Sequence, residues 1–217
     1  AEAQNELALM YNNGKGTAVD YTAAIYWYTK AAEQGNAEAQ SNLAIMYYNG
    51  KGTAVDYTAA FQWYTKAAEL GNAQAQYNLG YVYKYGEGTI QDYTAAIYWY
   101  TKAAEQGNAS AQYNLANMYR KGEGTAVDYT AAFHWYTKAA EQGKASAQFI
   151  LGVMYVRGDG TIQDYVRAHM WWNISAAQGN ADGQTNRDLV TKQMTPSQIE
   201  QAQNLARECV AKEYKNC

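Results

Sequence analysis

The sequence predicts an all-α fold of stacked antiparallel helix pairs, and three observations lead to this prediction. A segment like that of residues 56–71 recurs every 36 residues, and a period of roughly 20–50 residues is typical of a repeat array rather than a globule. Pro196 is the one proline in the chain, which suits a helical fold because proline costs about 3 kcal/mol inside a helix. Apolar residues within each unit follow helical spacing. The recurring aspartates are Asp20, Asp56, Asp92, Asp128 and Asp164, and the recurring tryptophans are Trp27, Trp63, Trp99, Trp135 and Trp171.

One full unit, residues 36–71, shows how each helix pair begins and ends. Asn36 is a good N-cap for a first helix, and Gly50 is suited to a left-handed C-cap at its end. Asp56 then caps a second helix, and Gly71 ends that helix. The apolar positions of both helices lie on one face at i, i+4, i+7 or similar spacing. They are Ala39, Leu43, Met46 and Tyr47 in the first helix, and Ala60, Trp63, Tyr64 and Ala67 in the second.

Helix pairs of this kind bury their apolar faces by stacking, which predicts a solenoid held by nearest-neighbour contacts. We expect Trp63 and Tyr47 to fill the space between pairs, and removing a buried tryptophan would cost about 3–5 kcal/mol. Thr195 and Gln198 form a capping box with Pro196 at the first helical position, which predicts a C-terminal capping helix pair. We expect five units at residues 1–35, 36–71, 72–107, 108–143 and 144–179, followed by the capping pair and tail at residues 180–217.

Composition and charge exclude several classes of protein. A hydrophobic content of 48% is too high for a disordered chain. The net charge of −3 and the absence of a Lys/Arg cluster argue against a nucleic-acid partner. No apolar stretch approaches the roughly 20 residues needed to cross a bilayer, so membrane insertion is not expected. Ala1 corresponds to Ala37, so the chain begins inside a repeat, which fits either a removed signal peptide or a trimmed chain.

The two cysteines, Cys209 and Cys217, lie close to the C-terminus. In one straight helix they would be about 12 Å apart, which is too far for a disulfide. A disulfide becomes feasible if the chain turns back after about Lys212, and two unrelated thiols are the alternative. An even pair of cysteines mildly favours an oxidising compartment, so we expect a periplasmic or secreted protein and otherwise a cytoplasmic one.

Residues 75–104 carry a specific motif in its full form, which consists of Ala75-Gln76, Leu79-Gly80, Tyr83, Gly86-Glu87-Gly88, Asp92, Trp99 and Lys102-Ala103-Ala104. It resembles the Sel1-like repeat, which is related to the tetratricopeptide repeat, and the resemblance covers almost the whole chain. The resemblance implies a right-handed α-solenoid whose members usually bind other proteins. The segment from His169 to Cys209 also resembles the terminal segment of many bacterial members.

Two activities associated with the family bear on the function. Some cysteine-rich members, which have a disulfide in each helix pair, are associated with penicillin binding, but this chain lacks those paired cysteines. Other bacterial members are periplasmic immunity proteins against secreted phospholipase toxins, and the resemblance leaves this role open for the present chain.

The residues predict no enzymatic chemistry. The two histidines, His134 and His169, occupy similar positions in successive second helices and could approach each other, but no cysteine or carboxylate motif accompanies them as in metal sites. No serine lies in a nucleophile elbow. The Gly-x-Gly loops lack the ending of a phosphate-binding loop and recur in every unit, which indicates turns. We therefore expect no catalytic, cofactor-binding or metal-binding residues.

Comparison of the repeats with one another predicts a binding surface. Leucines and tyrosines at the core positions of the first helices are the same in each full unit, whereas other first-helix positions change. Residues that the framework does not dictate are candidates for binding, and tyrosine offers contact area and a hydrogen bond at low entropy cost. Neutral drift on a solvated face is the alternative. The candidates, on the expected concave face, are Tyr77, Tyr81, Tyr85, Tyr113, Asn117 and Arg120.

The leading functional hypothesis is a non-enzymatic interaction module that binds a protein or peptide on this concave face. A periplasmic immunity protein that neutralises a secreted phospholipase-type toxin is the main alternative, and a hydrolase or penicillin-binding protein is a weaker one. The near-identity of residues 17–32 and 53–68 also allows a recently duplicated or consensus-like scaffold.

Overall fold

The structure, a computed structural model, describes residues 1–217 and consists of twelve α-helices without strands. Helices α1 to α10 form five successive helix pairs, and α11 and α12 follow them at the C-terminus. The predicted all-α solenoid class of repeated helix pairs with a C-terminal helical cap is confirmed. The helices are α1 (Glu2–Asn13), α2 (Tyr21–Ala32), α3 (Ala37–Asn49), α4 (Tyr57–Glu69), α5 (Ala73–Tyr85), α6 (Tyr93–Glu105), α7 (Ala109–Lys121), α8 (Tyr129–Ala140), α9 (Ala145–Arg157), α10 (Tyr165–Ala177), α11 (Ala181–Thr191) and α12 (Pro196–Ala211).

The chain forms two compact units, each of which contains at least two of the 36-residue repeats and has its own core. The first unit, Ala1–Asn108, contains α1 to α6, and the second, Ala109–Cys217, contains α7 to α12. Within each unit successive helices pack on one another, except that α11 and α12 both pack on α10 rather than on each other. No helix of the chain is both long enough and apolar enough to cross a membrane.

The predicted caps determine where the helices begin and end. The Asn36 side chain accepts a hydrogen bond from the Ala39 backbone N–H at 2.8 Å, and α3 ends at Gly50 in the left-handed conformation. The Asp56 carboxylate accepts one from the Ala59 N–H at 2.8 Å. A side chain that accepts from these otherwise unpaired N–H groups contributes about 1 kcal/mol to helix stability.

In α2, α4, α6 and α8 the buried aromatic residue is a tyrosine rather than the tryptophan that precedes it. Tyr64 is 3% exposed, whereas Trp63 is only half-buried and has the Lys66 ammonium 4.2 Å from its ring centroid. Adjacent helical residues project about 100° apart, because a turn has about 3.6 residues, so one of the two aromatic rings faces outward. Trp63 still packs at the edge of the cores on both sides of it, as expected. Trp171 is the exception: it is 2% exposed, because α10 is contacted by α9, α11 and α12.

Buried glutamines connect successive helix pairs within each unit. Gln148 is fully buried and donates from Nε2 to the Ala140 carbonyl at 3.2 Å, while its Oε1 accepts from Gln178 Nε2 at 2.7 Å. Gln76 does the same with the Ala68 carbonyl and Gln106, at 3.1 and 2.6 Å. A buried amide with both ends paired contributes specificity as well as stability, because an alternative register would leave it unpaired.

The loop between the two helices of a pair packs closely on the preceding pair. Gly52 has φ 73°, and a Cβ atom placed on it would lie 2.7 Å from the Tyr21 carbonyl carbon. This position therefore requires glycine both for its left-handed backbone and for the space it leaves.

The C-terminal cap has the predicted capping box. The Thr195 side chain accepts from the Gln198 N–H, and the Gln198 side chain accepts from the Thr195 N–H. After α12 the chain reverses through residues with positive φ, including Tyr214. The reversal brings Cys217 to a Cα–Cα distance of 5.2 Å from Cys209, and the two form a disulfide.

Candidate binding surface on the first helices

The six candidate residues lie on the first helices of two different units, α5 in the first unit and α7 in the second. Tyr77, Tyr81 and Tyr85 follow one another at intervals of four residues along α5, so they share one helix face. Tyr113, Asn117 and Arg120 follow one another at intervals of four and three residues along α7, so they also share one helix face. The structure thus brings them together as two groups of three.

In the first unit the tyrosines form a continuous aromatic surface, which we call the tyrosine cluster: Tyr48, Tyr57, Tyr81 and Tyr85. The ring centroids of Tyr81 and Tyr85 are 4.5 Å apart, those of Tyr48 and Tyr81 are 6.5 Å apart, and those of Tyr48 and Tyr57 are 5.1 Å apart. Tyr85 at the end of the cluster is 53% exposed. The rings meet in tilted or edge-to-face arrangements. Aromatic pairs are worth about 0.5–1.5 kcal/mol each beyond their buried area, so the cluster presents a pre-ordered apolar face.

A carboxylate lies at the edge of the tyrosine cluster. The Tyr48 hydroxyl donates a hydrogen bond to Glu87 Oε2 at 2.5 Å. Burial raises the pKa of Tyr48 above its ordinary value, and the hydrogen bond and negative charge of Glu87 raise it further. The tyrosine therefore remains a neutral donor at physiological pH, and the hydrogen bond orients the Glu87 side chain.

Tyr77 has a different environment from Tyr81 and Tyr85. It is half-buried, and its ring centroid lies 5.9 Å from that of Tyr100, which is fully buried. Tyr77 therefore packs on the core of the first unit more than the other two candidates on α5.

In the second unit the candidates form a hydrogen-bonded group, which we call the Tyr136 network: Tyr113, Asn117, Arg120 and Tyr136. The buried Tyr136 donates from its hydroxyl to Asn117 Oδ1 at 2.9 Å and accepts from Arg120 Nε at 3.2 Å. The Tyr113 ring centroid is 5.7 Å from that of Tyr136. Burial raises the pKa of Tyr136 to about 12, although the adjacent Arg120 opposes the shift. The network holds an amide and a guanidinium in defined positions on a half-buried surface.

A lysine of the next repeat also contacts the Tyr136 network. Lys144 Nζ lies 5.5 Å from the Tyr113 ring centroid and donates to Ser110 Oγ at 3.3 Å. A cation over a tyrosine ring is worth about 0.5–1 kcal/mol where water has access. Tyr113 and Arg120 therefore belong to a positively charged surface, in contrast to the carboxylate beside the tyrosine cluster.

Four residues that shape these surfaces are not among the six candidates, and one of them, Tyr48, lies at a first-helix position that varies from repeat to repeat. Tyr57 and Tyr136 belong to second helices, where the framework appeared uniform from repeat to repeat. Glu87 lies between the loop glycines, a position where the charge reverses along the chain, and that reversal was a usable signal. The residues at this position are Lys15, Lys51, Glu87, Glu123 and Asp159.

The two histidines have unlike surroundings. His134 is exposed, with its ring centroid 5.1 Å from that of Trp135, whereas His169 is 3% exposed. The chain contains no group of three or more His, Cys, Asp or Glu side chains that could hold a metal ion. The two surfaces on the first helices present aromatic rings, an amide and single charges, which suit non-covalent recognition.

These features define an all-α repeat protein. The model of the Sel1 repeat matches residues 1–36, 37–72, 73–108, 109–144 and 145–180. The chain therefore belongs to the Sel1 repeat family, and the resemblance in the sequence is confirmed. Proteins of this family are generally protein-interaction modules, and their fold is typically a non-enzymatic scaffold.

Solved structures of bacterial proteins share the fold. A Sel1 repeat protein from Oxalobacter formigenes is 31% identical with a TM-score of 0.80, and the match covers 96% of this chain and 87% of that one. The protein c5321, a protective antigen of uropathogenic Escherichia coli strains, is 34% identical with a TM-score of 0.60, and the match covers 98% of this chain and 54% of that one. The immunity protein Pa5087 from Pseudomonas aeruginosa is 23% identical with a TM-score of 0.51, over 98% of this chain and 80% of that one, which shows a shared fold. No curated protein matches the chain.

Proposed function

We propose that this protein is a non-enzymatic interaction module that binds a protein or peptide partner on the concave face formed by its first helices. The observation that carries the proposal is the tyrosine cluster. Tyr85 is half-exposed and packs on Tyr81, and both occupy positions that change from repeat to repeat. The core packing of the repeats requires neither Tyr81 nor Tyr85, so both are available to contact a partner.

The chemistry of the two surfaces supports a polypeptide partner. Partly exposed tyrosines that are already ordered by their neighbours lose little entropy on binding. Glu87 beside the first surface and Arg120 in the second can each pair with an opposite charge or a backbone amide. Such a combination of aromatic area with a few fixed polar groups is typical of the energetically dominant residues of protein interfaces.

Affinity capture from the source cell tests this proposal by comparing alanine substitutions at two equally exposed tyrosines. Tyr85 on α5 and Tyr98 on α6 are both 53% exposed, so each can be replaced by alanine with little expected loss of stability. We expect Tyr85→Ala to reduce capture of the partner at least about tenfold, which corresponds to about 1.4 kcal/mol, and Tyr98→Ala to leave it unchanged. Equal capture by the wild type and Tyr85→Ala would refute the assignment of the surface.

A second candidate is a periplasmic immunity protein that neutralises a secreted phospholipase-type toxin. Two observations favour it. Solved structures of this fold include the immunity proteins Pa5087 and PA5088, at 23% and 21% identity, and a disulfide between Cys209 and Cys217 suits an oxidising compartment.

A neutralisation assay tests this second candidate. A secreted phospholipase encoded beside this protein would be directed to the periplasm of a host with and without the protein. Survival that depends on the protein, and falls with Tyr85→Ala, supports the immunity role. Equal killing with and without the protein at matched expression contradicts it.

A further inference from the structure

The last helix pair and the capping helix α11 form an apolar cleft in the second unit, which we call the Trp172 cleft. It has a volume of about 280 Å³ and lies between α9, α10 and α11. Leu189 on α11 stands 36 residues after Val153 on α9, at the same position of the repeat, so the cleft lies between two successive first-helix positions. The residues that define it include Val153, Val156, Arg157, Trp172, Asn186 and Leu189.

The floor of the Trp172 cleft is apolar because a tryptophan replaces the tyrosine of the earlier repeats. Trp172 occupies the position that Tyr136 has one repeat earlier. The Tyr136 hydroxyl forms hydrogen bonds with Asn117 and Arg120 of the adjacent first helix. Trp172 is 5% exposed, and its only polar side-chain atom, Nε1, donates to the Phe149 carbonyl at 3.0 Å. Its ring therefore offers no free polar group to the cleft.

The walls of the cleft are apolar at positions where the preceding repeat has polar side chains. Val153 occupies the position of Asn117, and Val156 occupies that of Arg120. Across from them Leu189 is 53% exposed. An exposed apolar patch with a polar rim is typical of an interaction site, and this one begins where the Tyr136 network ends.

Two amide side chains at the rim suit a polypeptide. Asn186 is half-buried and Gln193 is exposed, and both line the cleft. Neither side chain forms a hydrogen bond within the chain. A carboxamide donates and accepts hydrogen bonds as a peptide group does, so the rim can pair with the backbone of an extended segment whose apolar side chain enters the cleft.

The charges of this face call for an acidic partner. Arg157 is the one charged residue of the lining, and Asp159 after it lies outside the lining. Neither α7 nor α9 contains an acidic residue. Arg120, Lys144 and Arg157 form no ion pair. The face therefore carries unpaired cations although the net charge of the chain is −3, and complementary charge selects partners and repels segments of like charge.

We propose that the Trp172 cleft binds an extended acidic segment of a partner protein. One apolar side chain of the segment packs on Trp172 and Leu189, and a neighbouring carboxylate pairs with Arg157. Further acidic side chains of the segment face Arg120 and Lys144, so several carboxylates contribute rather than a single chain terminus. The proposal rests on the proposed function, because both require a polypeptide partner.

Selection of random heptapeptides displayed on phage, with the immobilised full chain as the bait, tests the proposal. We expect the enriched peptides to share an apolar residue flanked by aspartate or glutamate, and the same selection on Leu189→Ser to lose this pattern. An enriched pattern that is basic or lacks the apolar residue would overturn the proposal, as would no enrichment over a surface without protein.

Fluorescence anisotropy with the most enriched peptide then measures the contribution of each side chain. Leu189→Ser and Arg157→Gln should each weaken binding about fivefold or more, because a buried apolar anchor and a charge pair dominate such interfaces. Both residues are exposed, so the fold should tolerate the changes. Binding should also weaken from about 50 to 300 mM sodium chloride, and less so for Arg157→Gln, because salt screens exposed charges.

Two substitutions on α12 serve as matched controls. Val210 is 50% exposed, Arg207 is exposed, and no residue of α12 lines the cleft. Val210→Ser and Arg207→Gln should therefore bind the peptide as the wild type does. Equal binding by the wild type, Leu189→Ser and Arg157→Gln would refute the cleft as the site.

Tyr85→Ala separates this proposal from the assignment of the tyrosine cluster in the first unit. Peptide binding that requires Leu189 and Arg157 but not Tyr85 supports the Trp172 cleft whatever the tyrosine cluster binds. Peptide binding that requires Tyr85 but neither Leu189 nor Arg157 overturns the present proposal and leaves the function proposed above intact.

Discussion

The hydroxyl of Tyr136, a core residue of the second unit, donates a 2.9 Å hydrogen bond to Asn117 Oδ1 on the neighbouring first helix. The same hydroxyl accepts a hydrogen bond from Arg120. A residue that fills the core therefore also holds in place two residues proposed to bind a partner. Core packing and the proposed recognition surface are therefore linked at this point.

Removal of this hydroxyl should cost stability. Tyr136→Phe leaves the Asn117 and Arg120 groups without their partner, and we expect a loss of about 0.5–1.5 kcal/mol in the free energy of unfolding. Urea denaturation measures it, and a double-mutant cycle with Asn117→Ala isolates the pairwise contribution. Strict additivity of the two substitutions would show that the hydrogen bond contributes nothing.

Buried tyrosines should make the protein sensitive to alkaline pH. Burial raises the pKa of Tyr136 to about 12 and that of Tyr28 to about 12, from the ordinary value of 10.0. Unfolded tyrosine loses its proton near pH 10 while the folded residue keeps it, so deprotonation favours the unfolded state. Stability should be constant below about pH 9, as far as these groups determine it, and fall between about pH 10 and pH 12.

Urea midpoints measured at intervals from pH 8 to pH 11.5 test this expectation. Tyr136→Phe lacks one of the responsible groups, so it should lose less stability over the alkaline range than the wild type does. An identical slope for both proteins would exclude Tyr136 as a source of the pH dependence.

Alanine substitution at two glycines with similar backbone conformations separates the cost of a left-handed backbone from the cost of a steric clash. Gly52 and Gly71 have φ values of 73° and 88°, but a Cβ atom on Gly71 would meet nothing within 4 Å, whereas one on Gly52 would lie 2.7 Å from Tyr21. Gly71→Ala should cost about 1–2 kcal/mol, the cost of a left-handed non-glycine residue. Gly52→Ala should cost clearly more, because the loop must also move away from α2.

Thermal or urea unfolding of both alanine variants gives the comparison. Equal destabilisation would mean that the close approach of the loop to Tyr21 contributes little to the stacking of the first two helix pairs.

Reduction should loosen the C-terminal cap. The disulfide between Cys209 and Cys217 closes a loop with a sequence separation of 8 residues, for which chain-entropy arguments give about 2–3 kcal/mol. We expect dithiothreitol to lower the unfolding midpoint of the wild type but not that of Cys217→Ser. Alkylation of both thiols in the native protein without reductant would contradict the disulfide.

The fold could be predicted from the sequence because the signals that determine it, such as helix caps, are local. Asn36 and Asp56 cap helices through side-chain hydrogen bonds that span three residues, and the aspartate cap recurs in all five repeats. The choice between adjacent Trp63 and Tyr64 as the buried residue was harder, since both suit the apolar face. The structure resolves it through the close packing of Tyr64 with small alanines of its own and neighbouring helices.

Only part of the candidate surface could be predicted from the sequence. Positions that vary between repeats identified Tyr81 and Tyr85, which do lie together. The bond between Tyr48 and Glu87 joins residues 39 positions apart in different repeats, and no local pattern encodes such a distance. No local pattern predicts that His134 is exposed and His169 is buried either. That difference depends on the packing of the C-terminal helices around α10.

Site-specific photo-crosslinking tests most directly the claim that the first-helix face receives a polypeptide. The photoreactive residue p-benzoylphenylalanine would replace Tyr85 on α5 or, as a control, Tyr98 on α6, which is equally exposed. Irradiation in the source cell should yield a discrete protein adduct from position 85 and none from position 98. A discrete adduct from position 98 alone, or the same adduct from both positions, would contradict the account.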